Sequence, residues 1–392
     1  MSRSQQPIKG AMQTAALYIH IPFCEKRCNY CDFYTVANRK EAIPRYVQAL
    51  EREMALYASD PFWSRQTFAT VFFGGGTPSL LDPEDIDRIL DAVRSNVRLI
   101  PEPEITLEAN PGTTTAAHLA GYRAAGINRL SLGAQSFWDD ELEQLDRLHR
   151  SADIVRTVEE ARAAGFDNIN LDLMFALPGQ RPSRWKANLE NALALQPQHL
   201  SCYNLTLEEG TPLYKLFMAG RVRALTEWRE RVLFNFTIDF LETHGLVHYE
   251  ISNYALPGYE CRHNIKYWDG SVYLGLGASA HSYDGQTRFW NVSNYVHYCE
   301  RLEKGRRAVD ARETLTPEQQ RFEMIFLGLR RKRGVDLQQF RRGFQQDFLQ
   351  AYARPVERLL QHDPPLVEIR EDHLRLTREG RLLCDAVCAE FA

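Results

Sequence analysis

The amino-acid sequence predicts an α/β fold, a partial (β/α)6 barrel followed by a smaller, mainly helical C-terminal domain. Three observations predict it. From residue 15 to 245, short β-branched or aromatic runs alternate with longer stretches of helical period, the pattern of βα units around a parallel sheet. The units number six, too few to close a complete eightfold barrel. After residue 245 the rhythm gives way to a strand and a Gly- and aromatic-rich stretch, and from 309 helical patterns dominate. The expected organisation is a polar N-terminal segment (1–14), the barrel (15–245), a connecting strand and Gly/aromatic-rich segment (246–308), and the helical domain (309–392). With 44% hydrophobic and 25% charged residues among 392, the chain has the balance of a globular protein with a sizeable core.

Strands are expected at 16–21, 69–73, 105–109, 129–133, 168–173 and 199–205, with helices at 42–57, 83–96, 115–125, 152–164 and 184–195 between them. Within the strands the side chains alternate. Leu17, Ile19 and Ile21 alternate with Tyr18 and His20; Ile105, Leu107 and Ala109 with Thr106, Glu108 and Asn110; Leu130 and Leu132 with Ser131 and Gly133; Ile169, Leu171 and Leu173 with Asn170 and Asp172. Residues two apart share a face of the sheet. The apolar face must meet the helices, so the polar face lines the barrel. An ordinary βα barrel fills its interior with branched apolar side chains; a polar interior implies a lumen that takes a polar ligand.

Further along, 247–253 reads as a strand, 257–282 is rich in Gly, Tyr and Trp, and Thr316-Pro317-Glu318 opens a helix over 316–328. Residues 374–380 read as a short strand and turn before a last helix. The basic run Arg330, Arg331, Lys332, Arg333 reads as a solvated face near a helix end.

A net charge of −4 gives no basic face for nucleic acid. No run approaches the ~20 apolar residues of a membrane span, and the polar N-terminus lacks the apolar core of a secretory signal, so a cytoplasmic location is expected. Eight cysteines in a chain of this size do not make a disulfide scaffold. Three of them stand together as Cys24-x3-Cys28-x2-Cys31, directly after the first strand. Three thiolates on one loop can hold three corners of an iron–sulfur cube and leave one iron open. A zinc site is the alternative, with its fourth ligand from Cys202 or Cys261; buried structural thiols are the third reading.

The glycine turn Phe73-Gly74-Gly75-Gly76-Thr77-Pro78 after the second strand is weak evidence alone. Together with Tyr18–Cys24 (YIHIPFC), Cys31-Asp32-Phe33 and Leu173–Gln180 (LMFALPGQ), it resembles the radical S-adenosylmethionine superfamily, and within it the anaerobic coproporphyrinogen dehydrogenase group. The resemblance runs from about Tyr18 through Tyr283 and on toward the C-terminus. It implies a radical S-adenosylmethionine barrel with a [4Fe-4S] cluster on Cys24, Cys28 and Cys31. It also implies that Tyr18, Tyr30, Gly75 and Glu108 contact adenosylmethionine, with Glu108 accepting from ribose hydroxyls. Gly76, Thr77, Gln135, Arg147 and Asp172 match positions around a second adenosylmethionine in the dehydrogenase.

Two features separate the chain from the dehydrogenase. Phe33 stands where that enzyme has a further cysteine, and little precedes Tyr18. In their place is His263-Asn264-Ile265-Lys266-Tyr267-Trp268, which resembles the signature of the heme chaperone family. That resemblance implies heme as a cofactor, acceptor hemoproteins as partners, His263 as an axial ligand, and Tyr267 and Trp268 against the porphyrin. His281 is the alternative ligand. The C-terminal domain is expected to cover the cluster end of the barrel; a homodimer and peripheral membrane association are compatible with the family role. Oxidative decarboxylation of coproporphyrinogen III is the enzymatic alternative. Cys384 and Cys388, at i and i+4, read as core packing.

Overall fold

The computed structural model describes residues 14–392; apart from Thr14, the expected polar segment 1–14 lies outside the described residues. The chain begins with β1 (Ala15–Ile21), the short β2 (Phe23–Cys24) and β3 (Val36–Ala37), then β4 (Thr67–Gly75), β5 (Arg98–Ala109), β6 (Arg129–Gln135), β7 (Ile169–Phe175) and β8 (His199–Asn204). β1, β4, β5, β6, β7 and β8 are parallel neighbours in chain order. That is the partial sixfold barrel the alternating pattern predicts. Helices Ile43–Ala58, Pro83–Asn96, Ala116–Ala125, Ser151–Ala163 and Pro182–Ala194 return between the strands.

Local chemistry sets several boundaries. Pro83 opens its helix with Glu84 and Asp85 in the first turn, where acidic groups suit the exposed N–H groups. Thr115 caps the next helix by accepting from the His118 N–H at 3.2 Å, and Gly126, at φ +111°, ends it. The apolar strand positions Leu17, Ile19, Ile105, Leu107, Leu130, Leu132, Ile169 and Leu171 share one buried core with these helices. A sixth helix, Glu227–Thr243, escapes the sequence pattern because its apolar residues are spread. Leu233, Ile238 and Leu241 are buried, while Val232 and Trp228 face outward.

The segment expected as a connector builds both sheet edges. β9 (Val247–Glu250) and β10 (Asn253–Ala255) run antiparallel beside β8, so the single strand expected at 247–253 is two, joined by a turn. β11 (Tyr273–Leu276) lies parallel to β1, followed by antiparallel β12 (His281–Tyr283), β13 (Thr287–Asn291) and β14 (Val309–Thr314). Because β14 is paired into the large sheet, we place the domain division after Thr314.

Beyond it, β15 (Val335–Asp336), β16 (Val367–Arg370) and β17 (His373–Leu376) form a small sheet in the order β15-β17-β16 among helices. Its own core includes Ile325, Phe340, Leu374, Cys384 and Cys388. This domain does not cover the cluster end. It packs on the helix Glu227–Thr243 through Arg378 on Asp239 at 2.6 and 2.7 Å and Lys332 on Glu242 at 2.8 Å. Ile251, in the turn between β9 and β10, joins its core. The apolar surface that needs covering lies at that sheet edge. The basic run is only partly a solvated face: Lys332 and Arg333 are exposed, whereas Arg330 pairs with Asp385 at 2.6 Å and stacks on Phe326 at 3.8 Å.

Candidate functional site

A cavity of about 410 Å³ opens at the C-terminal ends of the parallel strands. Cys24, Cys28 and Cys31 line it, together with Tyr30, Gly75, Gly76, Thr77, Glu108, Gln135, Arg147 and Asp172. The structure thus gathers around one space eleven of the thirteen residues expected to hold the cluster, adenosylmethionine or, as first choice, the heme iron. The two outside it are Tyr18 and His263. Tyr18 stands in the wall behind Gly74, its hydroxyl 3.0 Å from His20 Nδ1.

The three cysteines leave β1 on a loop held from both sides. The Leu213 N–H donates to the Asn29 carbonyl at 2.9 Å, and Tyr30 packs on a small cluster of Leu145, Met174, Leu177, Leu205 and Leu213. The Thr77 hydroxyl points at Cys24 Sγ at 3.5 Å and Arg147 at Cys28 Sγ at 3.6 Å. Burial lifts the Cys24 and Cys31 thiols, and the neighbouring sulfurs lift them further. As thiolates, the three sulfurs act on one another through space and would repel unless a cationic centre joined them. Among the described residues these are the cavity's only thiols. Cys261 is buried, its Sγ 3.7 Å from Glu104 Oε1, and Cys202 lies in the core facing the helices. Neither Cys202 nor Cys261 is therefore in place as the fourth ligand of a zinc site, and the donor set fits a group that takes three thiolates and keeps one position open.

The glycine turn makes room beside them. A Cβ on Gly75 (φ +113°) would sit 2.5 to 2.9 Å from the His20 ring, and one on Gly76 would sit 2.7 Å from the Phe23 carbonyl oxygen. The Gly75 N–H donates to Glu108 at 3.2 Å. Burial, reinforced by Asp172, raises the Glu108 carboxyl to about 8. Asp172 is raised by burial and accepts from Asn170 at 2.8 Å and Ser131 at 3.2 Å. Gln135 sits in the left-handed region at φ +64°, a strained conformation that turns β6 into the cavity rim. The fixed carboxyl groups, the open glycine backbone and the amide and guanidinium groups fit a polar, hydroxyl- and amine-bearing ligand beside the cysteines. Replacing Gly75 by Ala is expected to cost about 1–3 kcal/mol and to weaken adenosylmethionine binding, read by thermal melting and isothermal titration.

The helix Arg262–Trp268 plugs the opposite, N-terminal end of the barrel. Glu104 of β5 accepts from the N–H groups of Arg262 and His263, each at 3.0 Å. His263 is 1% exposed. Its Nδ1 is 2.8 Å from the Thr70 hydroxyl and its Nε2 is 3.1 Å from that of Tyr267, and it stacks on Phe72. Burial lowers it to about 3. With both ring nitrogens engaged inside the molecule, His263 has no free position for an iron. His281, by contrast, is exposed on β12 and stacks on Trp290.

Sequence reasoning did not single out Arg129, Ser201, Tyr203 or Asn264 for the cavity, yet all four line it. Arg129, Ser201 and Tyr203 stand on the lumen faces of β6 and β8, so strand alternation was the available signal. For Asn264 there was none, because its place depends on the plug helix.

A parallel barrel with a three-cysteine loop at its mouth defines this chain as a radical S-adenosylmethionine protein, a superfamily characterised by a [4Fe-4S] cluster and adenosylmethionine. Residues 18–192 match the Radical SAM superfamily and residues 315–383 the HemN C-terminal domain. The chain belongs to the HemW family. It is 37% identical to the heme chaperone HemW of Bacillus subtilis over 376 residues, 95% of this chain and 98% of that protein. It is also 37% identical to that of Mycobacterium tuberculosis H37Rv over 384 residues, 97% and 95% of the two chains. The structure of the Escherichia coli coproporphyrinogen III oxidase HemN, a radical SAM enzyme, superposes with a TM-score of 0.82 at 25% identity, covering 97% of this chain and 90% of that one.

Proposed function

We propose that this protein is a heme chaperone that binds heme and passes it to acceptor hemoproteins, and that it carries a [4Fe-4S] cluster on Cys24, Cys28 and Cys31 with adenosylmethionine beside it. The observation that carries the reading is family membership spanning almost the whole chain, joined to a cavity in which the three thiols meet Gly75, Glu108 and Asp172. When bound, the cluster supplies an electron-transfer centre next to the sulfonium. The chain's residues do the rest. Glu108 and Asp172 receive hydroxyl or amine groups of the ligand, Gly75 and Gly76 let it approach the backbone, and Arg147 screens Cys28.

The cytoplasm is the compartment this reading favours. No helix among the described residues is long and apolar enough to cross a membrane. For the heme itself, His281 is the exposed one of the two imidazoles that the sequence offers as axial ligands. Heme titration followed by Soret absorbance tests the reading. Wild type is expected to bind, and His281→Ala to lose most of the axial signal. His263→Ala is expected to lose about 2–4 kcal/mol of stability instead, since Thr70 and Tyr267 are left unpaired over a cavity. A wild-type protein with no affinity for heme would remove the basis of the proposal.

The close superposition on HemN favours one second reading, oxidative decarboxylation of coproporphyrinogen III. Anaerobically reconstituted protein, given that substrate, adenosylmethionine and a reductant, separates the two. Robust formation of protoporphyrinogen would establish the enzyme and displace the chaperone.

A further inference from the structure

At the floor of the lumen, toward the plug helix, is a group that neither the cluster nor adenosylmethionine at the mouth explains. Arg129, the first residue of β6, is 2% exposed and lines the cavity. Its Nε is fully buried with no hydrogen-bond partner. The acids around it are already engaged. Both Glu104 oxygens accept from the plug helix, and Asp172 accepts from Asn170 and Ser131. Glu104 and Asp172 therefore act on Arg129 only through space.

Thr106 stands directly opposite Arg129 in the β5–β6 register, and its buried Oγ1 also lacks a partner. Asn264, from the plug helix, lines the same cavity. A guanidinium withdrawn from water without acceptors is costly to the fold, and such groups are retained where a ligand completes them. The planar fork of an arginine matches a carboxylate in a bidentate pair. A hydroxyl and an amide beside it supply the remaining donors.

We propose that the lumen floor binds the carboxylate of a second ligand, anchored by Arg129 and flanked by Thr106 and Asn264. The carboxylate has two possible sources, a propionate arm of a tetrapyrrole or a small free monocarboxylate. Only the tetrapyrrole arm rests on the heme reading above.

The test uses the full chain with its cluster reconstituted, as wild type, Arg129→Met and Asn264→Asp. Melting is followed in sodium propionate against sodium chloride at equal ionic strength. Binding of heme and of heme dimethyl ester is followed by Soret absorbance. Without ligand, Arg129→Met is expected to melt close to wild type, because the arginine it removes makes no hydrogen bond and is held only by the through-space attraction of its neighbours. Propionate should raise the melting temperature of wild type and of neither variant. If the source is the tetrapyrrole, wild type binds heme about tenfold more tightly than its ester, and both variants lose that preference. If the source is a free acid, propionate still distinguishes the variants while heme and ester bind alike. Identical responses of wild type and both variants to propionate and to esterification would overturn the site, and a lower melting point of Arg129→Met alongside them would make Arg129 a structural counter-ion. Failure of wild type to bind heme at all would sink the chaperone reading while leaving the propionate result to judge this one.

Discussion

Cys24→Ala, Cys28→Ala and Cys31→Ala should each emerge from anaerobic purification with almost no iron or acid-labile sulfide and without visible cluster absorbance. Three thiolates are the smallest set that holds three corners of a cube. The structure offers no replacement in reach, since Cys202 and Cys261 are buried away from the cavity. Cys202→Ala and Cys261→Ala are the matched controls and should retain wild-type iron. Because Cys24 is buried beside Thr77 while Cys28 and Cys31 are partly exposed, the Cys24 variant should also lose some thermal stability. Zinc in the wild type, or iron retained by any of the three variants, would contradict the assignment. Iron and sulfide analysis decides it.

Glu53→Leu should lose about 3–5 kcal/mol of unfolding free energy. Glu53 lies on the helix Ile43–Ala58 with no exposed surface. It accepts from the Tyr298 hydroxyl at 2.6 Å, Asn291 Nδ2 at 2.7 Å and the Gly277 N–H at 2.8 Å. One carboxyl thus ties the first barrel helix to the turn after β11, to β13 and to the helix Tyr295–Glu303. Leucine leaves three buried donors unpaired. Glu53→Gln should cost less, because its carbonyl still accepts.

The same residue gives a pH dependence with a defined sign. Burial raises the Glu53 carboxyl from 4.5 to about 7, so the folded state holds a proton that the unfolded chain releases. Its contribution is greatest below pH 4.5, falls as pH rises from 4.5 to 7, and is constant above, a difference of about 3 kcal/mol. Glu250, raised by burial to about 7, acts in the same direction. His20, His149 and His248, lowered by burial to about 4, act oppositely between 4 and 6.5. Comparing the pH profiles of wild type and Glu53→Gln by denaturant unfolding isolates Glu53: the variant should lose the fall between 4.5 and 7. Parallel profiles would show that the carboxyl is ionised in the fold.

Much of the barrel was legible because strand alternation is a local property. The run 168–173 marks Asp172 as a lumen residue before any fold is known, since every second side chain shares a face. The sixth barrel helix, Glu227–Thr243, was not legible, because its outer face carries Trp228 and Val232 and blurs the stripe. Arg129 follows the alternation too, but a charged residue at a strand start reads as solvent-exposed until the barrel closes around it. His263 shows the reverse error. A histidine in a signature reads as a ligand, and only the packing of Thr70, Phe72 and Tyr267 around it shows both nitrogens in use.

The sequence by itself determined the parallel α/β order, the polar lumen and the three-cysteine loop, since each rests on spacing within a few residues. Tertiary structure alone decided that Glu104 meets residues 261–263, about 160 positions later, and so seats the plug helix under the barrel. It also decided that the C-terminal domain covers the sheet edge instead of the cluster mouth. Those outcomes depend on which distant surfaces remain unpaired after the sheet forms, and no local pattern encodes them.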